Sequence, residues 1–368
     1  MKIICAIGSL GGGGAERVMV WLVNNLALKG HQVTLLIMNS EVVERYECIP
    51  DVKIVRLNRK RFFSSRLSFY INLVRWRNLL RSICIESKAD VVLSFIDAIN
   101  IYCLFSLLGM STPVVVAERT NPAYSLISLG KKLVRPFIYR VKAHTVVFQT
   151  AAVAEKYKAK WHLKNCKVIS NAVQETLIPI RSNFPEKIVL SVGRLDYQKG
   201  HDVLLHAWSE LGNSRDGWKL RIVGDGIERG NYEKLLKKLG IQDSVQLIGF
   251  SSDVASEYQK ASVVVLPSRV EGFPNVLLEA MAAGKSAIAS DLPEACREVI
   301  QDGTNGLLYN GNSVRDLVLK LQVTLSDKRL MSKLSANAVK VKETYSEQAI
   351  FSLWEQCLKD ASFENITL

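Results

Sequence analysis

The apolar run Ser262-Val-Val-Val-Leu-Pro267 leads, after one residue, into Arg269-Val-Glu-Gly-Phe-Pro-Asn-Val-Leu-Leu-Glu-Ala-Met-Ala-Ala-Gly284. This order predicts a buried strand, a glycine-containing turn and then a helix. Backbone N–H groups at the start of a helix suit a phosphate or an anionic leaving group. Glu271 and Glu279 flank the turn, where two carboxylates could bind the hydroxyls of a ribose and of a sugar. The segment therefore indicates a nucleotide-sugar site.

The same alternation of strand-like and helix-like segments extends over the whole chain. The strands predicted in the first half are Lys2–Ile7, Gln32–Met38, Val52–Leu57, Val91–Phe95, Val114–Glu118, Thr145–Gln149 and Lys167–Ser170. Those predicted in the second half are Ile188–Val192, Lys219–Val223, Val245–Ile248, Val263–Leu266 and Ser286–Ser290. Such alternation is typical of parallel sheets that are covered by helices on both faces.

Two such series, joined by a polar linker around Glu175–Glu186, predict two doubly wound domains. A length of 368 residues fits this division, because a single core rarely exceeds about 250–300 residues. We predict an α/β fold in which two Rossmann-like domains, residues 1–172 and 173–349, face a central cleft. Apolar residues recur at helical spacing in Ser346–Ala361, and the segment from about 350 to 368 is expected to cross back to the first domain.

The composition is that of a soluble globular protein, with 48% hydrophobic and 23% charged residues. The seven cysteines form no CxxC pair, which fits reduced thiols in the cytoplasm. The sequence shows no signal peptide and no apolar segment near the roughly 20 residues of a membrane-spanning helix. We therefore expect a cytoplasmic protein.

Charge is distributed unevenly between the two halves. Residues 1–172 contain 25 Lys and Arg against 10 Asp and Glu, whereas residues 173–368 contain 23 against 25. The asymmetry predicts a polyanionic partner for the first half, either nucleic acid or anionic lipid.

The basic stretch Arg56–Arg81 is the strongest candidate for that contact. Apolar side chains at helical spacing include Trp76 and Leu80, and many Arg and Lys side chains surround them. A basic amphipathic helix with aromatics is typical of membrane surfaces, although a core-packed helix with a solvated basic face has the same pattern. Five further basic residues are expected to extend the patch: Lys131, Lys132, Arg135, Arg140 and Lys142.

A glycine-rich loop follows the first predicted strand. In Gly8-Ser-Leu-Gly-Gly-Gly-Gly-Ala-Glu-Arg17, consecutive glycines would let the backbone approach a ligand closely, and a flexible strand–helix turn is the alternative. The spacing is not that of a dinucleotide fingerprint. The ligand-contacting candidates here are Gly12, Gly13, Gly14 and Glu16.

Three loops of the second half resemble parts of one anion site. Ser191-Val-Gly-Arg-Leu-Asp-Tyr-Gln-Lys-Gly200 places Arg194 and Lys199 just after a buried strand, where they could neutralise a departing diphosphate. Ile222-Val-Gly-Asp-Gly226 and Leu247-Ile-Gly-Phe250 could place backbone near a ribose or a base. The alternatives are a solvated loop with two ordinary basic residues for the first segment, a plain turn for the second and core packing for the third.

Polar residues at two predicted strand ends of the first half are candidates for substrate contact, because strand-end loops often carry function. They are Asp97, Glu118, Arg119 and Asn121. A cap or a loop anchor is the alternative role for each.

Several sequence motifs are absent. The chain has no DxD pair, P-loop, HExxH motif or GxSxG elbow, and its five histidines have no ligand-like spacing. We therefore expect no metal cofactor.

Taken together, these motifs resemble the retaining glycosyltransferases of family 4, which have the GT-B fold. Glu271–Glu279 is similar to the E-x7-E motif of that family, Gly193–Gly200 to its diphosphate loop, and Gly11–Arg17 to its glycine-rich loop near the acceptor. Ile222–Gly226 and Gly303-Thr-Asn-Gly306 are in family order. Glu118-Arg-Thr-Asn-Pro122 further resembles bacterial members that build lipid-linked oligosaccharides and exopolysaccharide repeat units.

The resemblance implies a role for each matching residue. Arg194 and Lys199 would bind the diphosphate and stabilise leaving-group charge, Glu271 would contact the donor sugar, and Glu279 would bind the ribose. The full set of expected donor-binding positions is Gly193, Gly224, Asp225, Gly249, Phe250, Gly272, Phe273, Pro274, Asn275, Val276 and Glu279. Many relatives have a histidine in the first domain where this chain offers Asp97, Glu118 and Arg119, so no protein general base is assigned. In the family's mechanism the departing phosphate itself can take the acceptor proton.

We interpret the chain as a transferase of a hexosyl or N-acetylhexosaminyl group. The donor would be a nucleotide-diphosphate sugar, expected to be UDP-linked, and the acceptor a lipid-linked saccharide at the cytoplasmic face of the inner membrane. Two alternatives stay open: a nucleotide-sugar epimerase of related fold, and a nucleic-acid-binding protein, which only the basic first half suggests.

Overall fold

The computed structural model describes residues 1–39, 42–57, 66–125, 127–173, 186–251 and 253–363, without the side chains of residues 66–73. Most of the predicted linker and residues 58–65 of the predicted basic stretch therefore lie outside the described residues. The chain divides into unit 1, Met1–Ser170 with Ile350–Leu368, and unit 2, Asn171–Ala349.

Unit 1 is built on a seven-stranded sheet in the order β3-β2-β1-β4-β5-β6-β7. Its strands, all parallel in their pairings, are β1 Lys2–Ile7, β2 Gln32–Ile37, β3 Lys53–Arg56, β4 Val91–Phe95, β5 Val114–Ala117, β6 Thr145–Phe148 and β7 Cys166–Val168. Its helices are α1 Gly14–Leu28, α2 Arg66–Ser87, α3 Asp97–Ser106, α4 Leu129–Lys142 and α5 Ala151–Trp161. The central strands are buried on both faces, which requires the continuous apolar runs that the sequence shows.

Unit 2 repeats the plan with a six-stranded parallel sheet in the order β10-β9-β8-β11-β12-β13. The strands are β8 Ile188–Val192, β9 Lys219–Val223, β10 Val245–Gly249, β11 Val263–Leu266, β12 Ser286–Ser290 and β13 Leu307–Tyr309. The helices are α6 His201–Glu210, α7 Arg229–Leu239, α8 Val254–Lys260, α9 Asn275–Ala282, α10 Glu294–Val299, α11 Val314–Ser326, α12 Lys328–Ala338 and α13 Val341–Thr344.

The last helix, α14 Glu347–Phe363, returns the chain to unit 1, as predicted. Its Trp354 is fully buried, with its ring 5.4 Å from that of Phe95 at the end of β4. Glu355 accepts a hydrogen bond from His31 over 3.0 Å. Burial of a large aromatic ring accounts for the attachment of this helix to unit 1.

The two Rossmann-like α/β units confirm the predicted fold class. Strand β13 is missing from the prediction because its three residues are too short a run to stand out by apolar pattern. In helix α2, Trp76 and Leu80 are buried in the core, so the core-packed alternative holds for the described part of the basic stretch. No helix in the described parts of the chain combines the length and hydrophobicity that a membrane crossing requires.

Strand order reverses between β1 and β4 in unit 1 and between β8 and β11 in unit 2. In open parallel sheets, ligands bind beyond the carboxyl ends of the strands at such a reversal. The loops that follow β8 and β11 are those that contain Lys199 and Glu271.

Candidate active site

Lys199 and Glu271 meet at the strand reversal of unit 2. Lys199 Nζ lies 2.6 Å from Glu271 Oε1, and the Ser268 hydroxyl donates to the same oxygen over 2.7 Å. Both charged side chains are largely buried, with 18% and 11% of their surfaces exposed. Two residues 72 positions apart thus form a charge-assisted pair.

Arg194 occupies the exposed side of the same loop. Its guanidinium is 71% exposed and lies 3.2 Å from Asp196. The Asp196 carboxylate also accepts from the Lys199 backbone N–H over 3.1 Å, which caps the short 3-10 turn Tyr197–Lys199. Asp196 therefore orients both predicted cationic residues, a role that the sequence analysis missed.

Arg269 is a second residue for which the sequence predicts no role. Its guanidinium makes a two-point contact with Asp202, at 2.8 and 2.6 Å, and stacks 4.2 Å from the centre of the Tyr197 ring. It also donates to Asn312 over 2.8 Å. Such a contact fixes the direction of the guanidinium as well as its position. Arg269 thereby joins the loops that follow β8, β11 and β13.

His201 begins helix α6 directly behind the Lys199 loop. It is buried, with Nδ1 3.4 Å from the Ser191 hydroxyl, and burial lowers its pKa to about 4. The imidazole is therefore neutral near pH 7 and adds no charge to the cationic loop.

Glycines allow the loops of unit 2 to pack backbone against backbone. A Cβ at Gly224 would lie 2.0 Å from the Gly193 carbonyl oxygen, and one at Gly200 would lie 2.1 Å from that of Pro267. Both glycines also have positive φ, of 140° and 65°. Gly224 forms a bridge with Gly249. Four of the loops that carry predicted donor residues are thus tied together through main chain.

The turn Gly272–Val276 contributes mainly backbone. Phe273 and Pro274 are buried, and the Phe273 ring lies 5.9 Å from that of Tyr345 in the core. The side chain of Phe273 therefore packs in the core of unit 2. Asn275 accepts from the Asn171 amide over 2.6 Å.

Glu279 lies within helix α9 and is buried. The Tyr258 hydroxyl donates to Glu279 Oε2 over 3.2 Å. Asp225 and Phe250, in contrast, are exposed at the ends of β9 and β10. Among these three predicted donor residues, the Glu279 carboxylate is therefore buried, whereas Asp225 and Phe250 are exposed to solvent.

In unit 1, the side chain of Glu16 accepts hydrogen bonds from within the glycine-rich loop. The Glu16 carboxylate accepts from the N–H groups of Gly12 and Gly13 over 2.6 and 2.8 Å and from the Ser9 hydroxyl. This is a capping interaction at the start of α1, which begins at Gly14. The N–H groups of Gly12 and Gly13, two of the three glycines expected to contact a ligand, donate within the loop.

Asp97 and Glu118 face each other across Arg135. Arg135 Nη1 lies 3.7 Å from Asp97 and 3.6 Å from Glu118, and the Tyr139 hydroxyl donates to Glu118 over 2.5 Å. Burial raises the pKa of Glu118 to about 7, although Arg135 and Tyr139 lower it in part. Arg135 was expected in an exposed basic patch, and that expectation is wrong because two buried carboxylates hold it inside.

The remaining candidates of unit 1 also have local contacts. The Arg119 guanidinium is buried 4.8 Å from the centre of the Phe95 ring, and burial lowers its pKa to about 9. Asn121 accepts from the Ala123 N–H over 3.0 Å and caps a short turn. The structure brings together Asp97 and Glu118, and it leaves Asn121 outside that cluster.

Two family models match the chain. The one described as Glycosyltransferase Family 4 matches residues 12–177, and the one described as Glycosyl transferases group 1 matches residues 174–341. A relative from Campylobacter jejuni is 32% identical over 98% of this chain and 98% of its own length. It is the GalNAc-alpha-(1->4)-GalNAc-alpha-(1->3)-diNAcBac-PP-undecaprenol alpha-1,4-N-acetyl-D-galactosaminyltransferase. The chain belongs to the GT-B glycosyltransferases of family 4.

Solved structures agree with this fold. Sucrose-phosphate synthase from Thermosynechococcus elongatus superposes with a TM-score of 0.83 at 21% identity, covering 98% of this chain and 99% of that one. HepE of Anabaena, solved in complex with UDP, superposes with a TM-score of 0.81 at 16% identity, covering 98% and 100%. None of these matches supports the epimerase alternative.

For a glycosyltransferase, the arrangement in unit 2 has a direct chemical use. Lys199 places a cationic group beside the carboxylate of Glu271, and Arg194 lies in the same loop as Lys199, at the carboxyl edge of a parallel sheet. Fixed positive charge in such a position stabilises negative charge as it develops on a leaving group. Within the described residues, no group of three or more His, Cys, Asp or Glu side chains has the geometry of a metal site.

Proposed function

We propose that this glycosyltransferase transfers a sugar from a UDP-sugar to a lipid-linked saccharide, with retention of anomeric configuration. The observation that carries the proposal is the Lys199–Glu271 pair at the strand reversal of unit 2, with Arg194 in the same loop as Lys199. The pathway would be the synthesis of a bacterial surface polysaccharide or glycan.

The loop that contains Arg194 and Lys199 is proposed to stabilise the negative charge of the leaving group. Breaking the bond between the sugar and the diphosphate concentrates negative charge on the diphosphate. Arg194, still 71% exposed, has room to turn from Asp196 toward that charge, whereas Lys199 is already held in place. The preorganised charge of Lys199 lowers the barrier because this group need not reorient during the reaction.

Glu271 is proposed to contact the sugar. Its Oε1 is engaged by Lys199 and Ser268, and these two contacts fix the orientation of the carboxylate. A fixed acceptor can select one arrangement of sugar hydroxyls. Glu279, held by Tyr258, is proposed to bind the ribose.

The assignment of UDP and of a lipid-linked acceptor is supported by two likenesses. HepE, which shares the fold, was solved with UDP, and the Campylobacter relative is named for an undecaprenol diphosphate-linked acceptor. The relative's activity makes N-acetylhexosaminyl transfer the first to test. We further propose that the enzyme works at the cytoplasmic face of the inner membrane, to which the basic unit 1 would be attracted.

Two details of mechanism belong to the same proposal. Because Arg194 and Lys199 supply positive charge at the diphosphate, transfer should proceed without a divalent metal and should survive EDTA. Because Glu118 is buried and bonded to Tyr139, we assign no protein base and propose that the departing phosphate accepts the proton.

The experiment is a two-step assay on the full chain. A thermal-shift screen of UDP-, GDP- and ADP-sugars identifies the donor, because a ligand that binds the folded state raises Tm. The donor is then incubated with undecaprenyl-diphosphate saccharides, and the product linkage is read by NMR. Transfer with retention supports the proposal, whereas inversion, or epimerisation of the donor without acceptor, contradicts it.

A further inference from the structure

Helix α4 turns basic side chains toward the body of unit 1. Arg135 is buried between the carboxylates of Asp97 and Glu118. Lys142 Nζ donates to two backbone carbonyls of the loop between α3 and β5, over 2.7 and 3.1 Å. The inner face of this helix therefore carries basic side chains beside the buried Ile138 and Tyr139.

The outer face of α4 is apolar. Leu129, Leu133, Phe137 and Val141 follow one another at intervals of four residues, which places them along one side of the helix. Between 54% and 73% of each residue's surface is exposed. A surface helix of a globular protein normally turns charged and polar side chains to the solvent, not a row of apolar ones. We call these four side chains the outer apolar face.

The segment that contains this face carries no exposed negative charge. From Asp97 to Lys142 the sequence contains two acidic residues, Asp97 and Glu118, and both are buried. Lys132 and Arg140 are exposed on the same helix. An apolar face accompanied by positive charge alone is complementary to an anionic lipid surface.

We propose that the outer apolar face of α4 docks on an anionic membrane, with Leu133 and Phe137 inserted at the level of the lipid headgroups. At 14 residues the helix is shorter than the roughly 20 needed to span a bilayer, so it would lie in the plane of the surface. The inference deepens the proposed function, on which it rests, by naming the surface that reaches a lipid-linked acceptor.

This assignment places a membrane contact on α4, whereas the sequence favoured Arg56–Arg81, of which residues 58–65 and the side chains of 66–73 lie outside the described residues. In helix α2 the apolar residues Trp76 and Leu80 are buried in the core of unit 1. Their side chains are committed to folding, whereas those of the outer apolar face are exposed.

The test uses the full chain and vesicle flotation. The vesicles consist of phosphatidylcholine alone or of phosphatidylcholine with half replaced by phosphatidylglycerol. The wild type should float with the anionic vesicles, and the double variant Leu133→Ser/Phe137→Ser should bind at least about tenfold more weakly. Leu319→Ser/Val323→Ser is the matched control, because these two exposed apolar residues have the same spacing on α11 of unit 2. It should float like the wild type.

A second variant pair separates charge from apolar contact. Lys132→Gln/Arg140→Gln should reduce the preference for phosphatidylglycerol and leave the weak binding to phosphatidylcholine unchanged. Equal flotation of Leu133→Ser/Phe137→Ser and the wild type would overturn the proposal, as would failure of the wild type to bind anionic vesicles. A dimer in gel filtration that this variant converts to a monomer would also overturn it, since the face would then belong to a second copy.

Donor binding is measured on the same proteins so that the two proposals can fail separately. The variants of α4 should keep the Tm shift that a UDP-sugar produces in the wild type, because their changes lie in unit 1. Lost flotation with an intact shift assigns the defect to docking. A wild type that floats but shows no shift with any nucleotide sugar contradicts the proposed function and leaves membrane docking standing.

Discussion

Lys199 Nζ lies 2.6 Å from Glu271 Oε1, across the point where the strand order of unit 2 reverses. Each residue belongs to a loop that follows a different buried strand, β8 or β11. The pair therefore joins the group proposed to hold the diphosphate to the group proposed to hold the sugar. Several consequences of this geometry can be measured.

Removal of either partner should nearly abolish transfer. Lys199→Ala and Glu271→Ala are each expected to lower kcat/KM by about 10²–10³, the loss typical of a preorganised charge-stabilising group. The double variant should lose much less than the product of the two, because the residues act as one unit. Lys187→Ala, which removes an exposed lysine paired with Asp216, is the control and should keep full activity. A folded Lys199 or Glu271 variant with near-normal turnover would remove the basis of the site assignment.

Two glycines with the same backbone angle should respond differently to alanine. Gly200 and Gly240 both have φ of 65°. A Cβ at Gly200 would lie 2.1 Å from the Pro267 carbonyl oxygen, whereas a Cβ at Gly240 would have no neighbouring atom within 4 Å. Gly240→Ala should therefore cost only the roughly 1–2 kcal/mol of a left-handed conformation. Gly200→Ala should cost more, because it must also displace the Lys199 loop, and should weaken donor binding. Chemical denaturation and donor titration measure both effects, and equal losses in the two variants would refute the close-approach argument.

Arg269→Lys should raise KM for the donor. The change breaks the two-point contact with Asp202 that positions the Lys199 loop, and lysine cannot reproduce that geometry. Arg221→Lys is the matched control, because Arg221 makes a similar two-point contact with Glu257, at 2.9 and 2.9 Å, on strand β9. Both variants should lose about 1–2 kcal/mol of unfolding free energy, yet only Arg269→Lys should change KM. A parallel rise in KM for Arg221→Lys would mean that general destabilisation is responsible.

Glu118 should make the stability of unit 1 sensitive to pH. Its pKa is raised by burial from 4.5 to about 7, so the folded state favours the protonated acid. The stabilisation from this group is complete below about pH 4.5 and is lost as pH rises toward 7. The difference in unfolding free energy between the wild type and Glu118→Gln should therefore fall between pH 5 and pH 8, by about 1.4 kcal/mol for each pH unit that separates the folded and unfolded pKa values. Urea denaturation at pH 5 and at pH 8 measures it, and a difference that rises with pH would show that Glu118 is ionised in the fold.

Much of the fold could be predicted from the sequence because buried parallel strands need continuous apolar runs. Lys2–Ile7, Val91–Phe95 and Ile188–Val192 were predicted with the bounds that the structure has. The three-residue strand β13 Leu307–Tyr309 gave too short a run to be recognised. The family was also within reach, because its motifs combine several residue types in a fixed order.

The environments of individual charges could not be predicted in the same way. Arg135 and Arg140 look alike in the sequence, yet Arg135 is buried between two carboxylates from other elements and Arg140 is exposed. Asp196 and Arg269 are ordinary loop residues until their partners are known. Their contacts depend on which loops are neighbours at the sheet edge.

By itself, the sequence of this glycosyltransferase determined the two-unit α/β plan, the family, and the residue types available to a donor site. Those properties follow from local patterns: apolar runs, glycine-rich turns and the order of motifs. Only the tertiary structure decided that Lys199 meets Glu271, that Glu16 accepts hydrogen bonds within its own loop, and that helix α4 exposes a row of apolar side chains. The physical reason is that burial and pairing of charge depend on residues distant in the chain, which strand order brings together.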